Sequence, residues 1–180
     1  MNSCQSQDAV KEKSEEIFRT LKNNEARILV RIGDKEFYSP ESVFTGQILM
    51  SDNMMSMTLT DQFEGKTIIN LGSKKWFSKK PVHELINAEN QVSTNVKMGK
   101  IVDREKMIGE GYMMAYGEIT AVEFLKDKMV FKIMGKVGKY SDFQQPDKYL
   151  PAEGIIVYKK PAVSFGNVTE NEVFSSTTSN

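Results

Sequence analysis

The sequence is poor in the residue types that most enzymes and metalloproteins use for chemistry. Its 180 residues include one cysteine and one histidine. A single cysteine excludes an internal disulfide, a thiolate zinc site and an iron–sulfur cluster built by this chain alone. A single histidine, His83, leaves one candidate for the base of a catalytic triad. These shortages favour a binding or structural role over catalysis.

Two further absences concern partners. No apolar run approaches the roughly 20 residues that a membrane-spanning helix requires. Lysine plus arginine and aspartate plus glutamate number 24 each, so the molecule has no overall field to attract nucleic acid or an acidic membrane. Nucleic acid is therefore not expected as a partner. Hydrophobic residues at 39% and charged residues at 27% are typical of a folded globular domain.

The spacing of apolar residues predicts one β-rich domain over residues 8–174. Residues 8–23 carry apolar side chains at helical spacing with charges between them, which predicts an N-terminal helix. After Glu25 the period becomes 2, and short alternating segments follow one another with closely spaced turns. The pattern predicts an all-β fold, mainly an antiparallel sandwich or a partly closed barrel.

One central segment interrupts the strands, and both chain ends lack an apolar pattern. After Pro81 the apolar residues stand at helical spacing, which predicts one short central helix; they are Val82, Leu85 and Ile86. Residues 1–7 are predicted to be a disordered tether and residues 175–180 a disordered tail, because neither has apolar side chains to bury.

Few residues are candidates for catalysis, and no cofactor is expected. His83 lies next to Glu84 in the predicted short helix, where a surface histidine is the favoured interpretation. Acids close in sequence can act as general acid and base; the candidate pairs are Glu15 with Glu16, Asp61 with Glu64, and Glu118 with Glu123. No glycine-rich loop opens a helix, so a phosphate-binding motif is not indicated.

The eleven methionines allow three interpretations. Dense thioethers suit copper(I), and they also suit a flexible apolar binding cavity or an irregular core. The densest group comprises Met50, Met54, Met55 and Met57. Core packing is favoured, because Met55 and Met57 alternate with polar residues as a half-buried strand requires.

The segment "SKKWFSKKP" combines basic and aromatic residues, and it forms a candidate contact surface. Its members are Lys74, Lys75, Trp76, Phe77, Lys79 and Lys80. Such a mixture suits contact with lipid headgroups or with a protein. The alternative is a loop whose two aromatic residues anchor it to the sheet while the lysines stay solvated.

The first four residues, Met1-Asn2-Ser3-Cys4, resemble the end of a bacterial lipoprotein signal. In that family a small residue, here Ser3, precedes a cysteine that receives a diacylglyceryl thioether. The polar residues after Cys4 resemble the tether between lipid and folded domain. The resemblance implies lipid attachment at Cys4 and a place in the bacterial cell envelope, either periplasmic or on the surface. The alternative is a free cysteine in a cytoplasmic protein.

The sequence therefore predicts a non-enzymatic, envelope-associated binding or structural module, tethered to the membrane through Cys4. Its expected partner is an unknown protein or a small apolar ligand. Two alternatives stay open. One is a lipocalin-like carrier that closes about eight to ten strands around a small apolar ligand. The other is a soluble enzyme that uses carboxylates or His83.

Overall fold

The computed structural model describes residues 3–175, with side chains from residue 7 onward. Within that range the two α-helices are α1 (Ser3–Thr20) and α2 (Glu170–Phe174). The strands are β1 (Glu25–Ile32), β2 (Lys35–Glu36), β3 (Phe44–Met50), β4 (Met55–Asp61), β5 (Lys66–Leu71), β6 (His83–Ile86), β7 (Asn95–Asp103), β8 (Ile108–Leu125), β9 (Lys128–Lys139), β10 (Leu150–Lys159) and β11 (Val163–Phe165). Two 3-10 helices, Tyr140–Asp142 and Pro146–Lys148, lie between β9 and β10.

Eight of these strands form a closed antiparallel barrel. Around the barrel the order is β1, β3, β4, β5, β7, β8, β9 and β10, and β10 pairs with β1 to complete the ring. Strands β2, β6 and β11 attach outside the ring, to β1, β8 and β3 respectively. Each described strand of the ring thus has a paired neighbour on both sides, although β1 and β3 share only two residue pairs. The predicted all-β fold is confirmed, and the barrel is closed.

Side chains from all eight barrel strands fill the interior. In β4, Met55, Met57 and Leu59 are 0% exposed and alternate with partly exposed residues, because alternate residues of a strand point to opposite faces. Thioethers supply much of this packing; the buried methionines are Met50, Met55, Met57, Met98, Met114 and Met129. Core packing, the favoured interpretation of the methionines, therefore describes these six residues.

Strand β8 has 18 residues and changes neighbours along one edge. Its first half pairs with β7 and its second half pairs with β6. A β-bulge between Met114 and Tyr116 separates the two halves, and a bulge bends the strand that carries it. Beside the bulge, a Cβ on Gly117 would clash with the carbonyl oxygen of Met134. The second half of β8 thus leads away from β7 toward one end of the barrel.

Helix α1 packs on the outer face of β9 and β10. Ile17 and Leu21 are buried against Val130 and Val157, and Phe18 packs beside them. One apolar stripe suffices for this contact, since the rest of the helix faces solvent. The helix is therefore an external layer that leaves the barrel interior untouched.

Lys128 fastens α1 to the barrel. Its Nζ donates a hydrogen bond to the carboxylate of Glu15 in the helix and lies 2.8 Å from a carboxylate oxygen of Glu123 in β8. Burial alone would lower the pKa of Lys128, but its hydrogen bonds with Glu123 and Glu15 raise it. In turn, the hydrogen bond from Lys128 lowers the pKa of Glu15. The ammonium therefore stays charged although Lys128 is buried.

The bounds of α1 differ from the predicted range 8–23. The helix begins at Ser3, within the predicted disordered tether (1–7), whose first two residues lie outside the described part of the chain. Polar residues without glycine or proline do not stop a helix, which extends once packing has fixed its later turns. The helix ends at Thr20, and Asn24 then takes a φ of 61°, a conformation that directs the chain into β1.

The predicted short central helix is wrong. The segment after Pro81 forms β6, which pairs antiparallel with β8. Val82 and Ile86 are buried, whereas Leu85 is 57% exposed, so burial follows period 2. A short apolar run fits the helical and the strand period equally well, and pairing with β8 decides between them.

The C-terminal end contains a short helix that the sequence reading missed. Helix α2 begins with a capping box, in which Thr169 accepts a hydrogen bond from the amide of Glu172 and the Glu172 carboxylate accepts one from the Thr169 amide. Thr-x-x-Glu is a known signal for a helix start. Of the predicted disordered tail (175–180), Ser175 is described, and residues 176–180 lie outside the described part.

Candidate functional site

The two ends of the barrel differ in how they are covered. One end, the capped end, is covered by a tryptophan loop (residues 73–82) and a C-terminal segment (residues 163–175). The other end, the cleft end, is formed by the β2–β3 and β9–β10 connections and by the β4–β5 and β7–β8 turns. Because consecutive barrel strands are antiparallel, alternate connections gather at the same end.

Aromatic side chains pack together at the capped end. The Trp76 ring makes edge-to-face contacts with Phe77 and Phe124, at centroid distances of 5.3 Å and 5.7 Å. The Trp76 Nε1 donates a hydrogen bond of 3.0 Å to the carbonyl oxygen of Ser51. Phe174 of α2 lies 5.1 Å from the Phe124 ring. This end is thus sealed by a packed layer whose one indole N–H is satisfied.

Polar contacts hold the C-terminal segment in place. Lys80 of the tryptophan loop donates a 2.7 Å hydrogen bond to the carbonyl oxygen of Val173. Lys126 forms a 2.8 Å ion pair with Glu170. The Asn167 side chain also bonds to Asp52 in the β3–β4 turn. Together with buried Val173, these contacts join α2 to both the barrel and the tryptophan loop.

The structure divides the six residues of the predicted contact surface. Trp76 is 4% exposed, and Phe77 packs partly buried against the core, so the aromatic residues anchor the loop. Lys80 is also partly buried, between Val173 and the Phe124 ring. The exposed members are Lys74, Lys75 and Lys79. A contact surface made by these three lysines stays a prediction. Trp76 is buried behind them.

A cleft of about 640 Å³ lies at the cleft end. Phe37 and Tyr38 line it, and both are also members of the barrel core. Their rings pack edge-to-face on each other and on Tyr112 and Phe44. They therefore separate the cleft from the barrel interior. Two of its lining apolar side chains, Phe63 and Val102, are exposed.

Asp61 organises one wall of the cleft. Asp61 is buried, with 8% of the residue exposed. Its carboxylate accepts hydrogen bonds from the Ser42 hydroxyl at 2.7 Å and from the amides of Phe63 and Gly65 at 3.0 Å and 2.6 Å. Three donors from two connections meet on one carboxylate, which fixes the β4–β5 turn against the β2–β3 connection. The same bonds occupy the carboxylate, so Asp61 has a structural task here.

The other charged side chains that line the cleft also have partners within the protein. Lys100 donates a 2.6 Å hydrogen bond to the carbonyl oxygen of Phe37. Arg104 and Glu64 lie 3.0 Å apart, which links the β7–β8 and β4–β5 turns. Glu36 lies 3.7 Å from Arg31. The charges that line this cleft therefore balance one another and leave the exposed apolar rim as its main unsatisfied feature.

Tyr38 is not placed to exchange protons. Its hydroxyl donates a 2.8 Å hydrogen bond to the carbonyl oxygen of Lys66 and lies 2.7 Å from the Thr67 hydroxyl. Burial raises the pKa of this phenol above its ordinary value. Tyr38 is therefore a neutral structural side chain that holds the base of the cleft.

A second cleft, of about 570 Å³, lies between α1 and β8 and contains two predicted catalytic candidates, Glu118 and Glu123. His83 Nε2 lies 3.1 Å from a carboxylate oxygen of Glu118, so the structure joins two residues that the sequence named separately. Glu123 is engaged by Lys128. The His83–Glu118 pair is solvent-exposed, and of the two only Glu118 lines the cleft with Glu123. Among the described residues this geometry lacks an activated nucleophile.

The remaining catalytic and metal candidates are dispersed. Glu15 pairs with Lys128 and Glu16 with Lys13, so these neighbours in sequence have separate partners. Met54 is 36% exposed, whereas the other three methionines of the dense group are buried in the core. Across the described residues, no group of three or more His, Cys, Asp or Glu side chains is placed to hold a metal ion.

The structure leaves lipid attachment at Cys4 a prediction. Cys4 lies within the span of α1, and its side chain is outside the described part of the structure. Between residues 3 and 175, none of the helices has both the length and the apolar character needed to cross a bilayer.

The fold and clefts define a closed antiparallel β-barrel with an external N-terminal helix. No protein-family model, curated protein or solved structure matches this chain. The function must therefore be inferred from its own geometry. The sequence reading missed the cleft end, because the lining residues come from three connections between positions 36 and 104. A sequence signal for the cleft end was the turn from Asp61 to Gly65, which contains the exposed aromatic residue Phe63.

Proposed function

We propose that the protein is a non-enzymatic binding module of the bacterial cell envelope. It is anchored through a lipid on Cys4 and receives a small apolar ligand at the cleft end. The observation that carries the binding role is the unequal cover of the two barrel ends. The capped end buries its aromatic residues, whereas the cleft end keeps a concave surface open to solvent.

The exposed side chains around the cleft support an apolar ligand. Phe63 and Val102 line the cleft and are 42% and 52% exposed. Covering such side chains stabilises a complex by about 25 cal/mol for each Å² removed from water. The charged groups that line the cleft already have internal partners. A charged ligand would have to displace these bonds, while an apolar ligand leaves them intact.

A non-enzymatic role agrees with the polar contacts of the cleft. Of its two carboxylates, Asp61 accepts three hydrogen bonds and Glu36 pairs with Arg31. Its phenol, Tyr38, is buried, and burial raises the pKa of that phenol. A general acid or base needs a proton that it can exchange with the substrate. These groups instead keep fixed partners that shape the cleft.

Cleft variants test the binding role directly. Ser39 is exposed and lines the cleft, so Ser39→Trp places a large ring in the ligand's space. Gln47→Trp is the matched control, because Gln47 is exposed on β3 outside the cleft. With the neutral apolar dye N-phenyl-1-naphthylamine as the probe, we expect binding to weaken by about tenfold, or 1.4 kcal/mol, in Ser39→Trp and to be unchanged in the control.

Two results would contradict the binding role: a wild-type protein that does not bind the probe, or equal binding by both variants. Probe fluorescence is the suitable signal, because the single tryptophan, Trp76, lies at the capped end. A Phe63→Trp variant offers a second signal from the cleft itself.

Intact mass measurement tests the anchor separately. A diacylglyceryl adduct on Cys4 in protein isolated from its native membrane is the expected result. An unmodified Met1 with a free Cys4 thiol would reject the anchor and leave the binding role standing. The lipobox-like Met1-Asn2-Ser3-Cys4 supports this part of the proposal.

A further inference from the structure

The cleft between α1 and β8 is a space that the proposed apolar site does not use. Strands β8 and β9 form its floor, Pro81 lies at one side, and the part of α1 from Gln7 to Ser14 forms the facing wall. The apolar contact of α1 with the barrel lies farther along the helix, at Ile17 and Leu21. About 570 Å³ stays open between the earlier turns and the strands, within the range of about 300–1,000 Å³ that is typical of small-molecule sites.

Strand register places two hydrogen-bond donors side by side on the floor of this cleft. Thr120 of β8 pairs with Lys132 of β9, and paired residues on one face of an antiparallel sheet have Cβ atoms about 4.5–5.5 Å apart. Both residues line the cleft. Within the described part of the chain, neither side chain takes part in a hydrogen bond or an ion pair. A hydroxyl and an ammonium at this spacing can both donate to one carboxylate.

Hydrogen-bond acceptors lie next to these donors. Glu118 stands two residues before Thr120 on the same face of β8, and His83 contacts its carboxylate at 3.1 Å. On the facing wall, Ser14 is 1% exposed, and its hydroxyl donates to the carbonyl oxygen of Lys11. The hydroxyl oxygen of Ser14 can still accept a hydrogen bond. A carboxylate and a hydroxyl oxygen together suit an ammonium group.

The rest of the lining restricts the ligand further. Asp8 and Lys11 add one charge of each sign on the helix wall, and Glu123 is engaged by Lys128, so neither sign dominates the cleft. Three apolar residues also line it: Val10, Val122 and Pro81. A ligand that matches this lining has a carboxylate and an ammonium close together and an apolar side chain.

We propose that this cleft binds a free α-amino acid with an apolar side chain. The carboxylate of the amino acid accepts hydrogen bonds from the Thr120 hydroxyl and the Lys132 ammonium. Its ammonium pairs with Glu118, and its side chain packs on the apolar part of the lining. This site is separate from the cleft end and binds a ligand of different chemistry, so it does not depend on the function proposed above.

Leucine and three analogues test the proposal on the wild-type protein. N-acetylleucine lacks the ammonium, leucinamide lacks the carboxylate, and glycine lacks the side chain. We expect leucine at about 10 mM to shift the backbone amide NMR signals of Thr120 and Lys132, and each analogue to bind at least about tenfold more weakly. The absence of a shift with leucine would overturn the proposal. Equal binding by N-acetylleucine or leucinamide would also overturn it, because the cleft would then recognise a peptide end or a single charge. Equal binding by glycine would overturn the apolar specificity.

Two lysine variants of β9 test the partner of the carboxylate. Lys132→Met removes the ammonium and keeps an unbranched side chain. Lys136→Met is the matched control, because Lys136 is exposed on the same strand and does not line the cleft. We expect leucine binding to weaken by about tenfold in Lys132→Met and to stay within about twofold of wild type in the control. Equal binding by the two variants would refute the proposed role of Lys132. If circular dichroism shows that Lys132→Met does not fold, the analogue series on the wild-type protein decides alone.

Discussion

Both ends of the barrel are closed by buried aromatic side chains, but only one end has an open cleft beside them. At the capped end, Trp76 of the tryptophan loop packs against Phe124, and the C-terminal segment covers this contact. At the cleft end, Phe37 and Tyr38 close the interior and line a cleft open to solvent. All four side chains are buried. The cleft end differs because it keeps a shaped surface beside them, where Phe63 is 42% exposed.

The capped end therefore serves mainly stability, and the cleft end serves mainly recognition. Apolar contacts dominate the capped end, where helix and loop add to the core. At the cleft end, hydrogen bonds to Asp61 and the Arg104–Glu64 pair hold the turns in position, while Phe63 stays partly exposed. Hydrogen bonds and ion pairs of this kind hold the turns in position and leave the surface of the cleft uncovered. The predictions below test whether substitutions at the capped end change mainly stability and those at the cleft end mainly ligand binding.

The largest expected effect is at the capped end. Trp76→Ala removes a side chain that is 4% exposed, and we expect a loss of about 3–5 kcal/mol in the free energy of unfolding. Phe63→Ala, at the cleft end, should cost less than about 1 kcal/mol, because Phe63 is 42% exposed. Urea unfolding followed by circular dichroism compares the two. Similar losses would break the proposed division of tasks.

A smaller, pH-dependent effect is expected where α1 meets the barrel. Lys128→Met removes the hydrogen bond to Glu123, which should cost about 1–2 kcal/mol at pH 7. The Glu15 pKa is lowered by Lys128, so the stability that this pairing contributes is present above the unfolded pKa near 4.5 and is lost as pH falls through the folded value.

The difference between wild type and Lys128→Met should therefore shrink as pH falls from about 5 to 3. Urea unfolding at several pH values measures it. Lys126→Met is a useful control, because Lys126 pairs with Glu170 of α2 instead of Glu15. A difference that stays constant across this pH range would show that Glu15 and Lys128 do not interact in solution.

The smallest effect is expected at the cleft end, in the β7–β8 turn. Met107 is 65% exposed and has a φ of 52°, a conformation that costs a non-glycine residue about 1 kcal/mol. Met107→Gly should stabilise the protein by up to about 0.5 kcal/mol, because glycine's greater freedom in the unfolded chain offsets part of the relief. Binding of the apolar probe should be unchanged, because Met107 does not line the cleft. Urea unfolding measures the change in stability, and a loss of stability in Met107→Gly would contradict the prediction.

The strands were predictable because their burial follows local sequence. Met55, Met57 and Leu59 alternate with polar residues, and this alternation gives both the strand and its inward face. The helix ends were less predictable. Residues 3–7 lack apolar side chains, yet they extend a helix that packing at Ile17 has already fixed. The local sequence pattern therefore predicted whether a segment is a helix or a strand better than it predicted where that segment begins and ends.

Features that depend on distant contacts could not be read from the sequence. The segment at Leu85 became a strand because β8 pairs with it, although its apolar spacing fits a helix. The cleft requires Phe37, Asp61 and Lys100, which lie far apart in the chain and meet through the order of the strands. Of the candidate site, the sequence identified Asp61 as one of a carboxylate pair. It did not predict that hydrogen bonds would occupy that carboxylate.

Closure of the ring through β1 and β10 has a consequence for how the chain folds. The Tyr158 hydroxyl bonds the Asn24 side chain at 2.6 Å across 134 residues of sequence, and β1 finds its main partner only in β10. During synthesis at about 5–20 residues per second, β1 emerges well before β10. Pairings of such high contact order fold slowly. The first strand made therefore waits longest for its neighbour, and until then its free edge is the part of the nascent chain most in need of a chaperone.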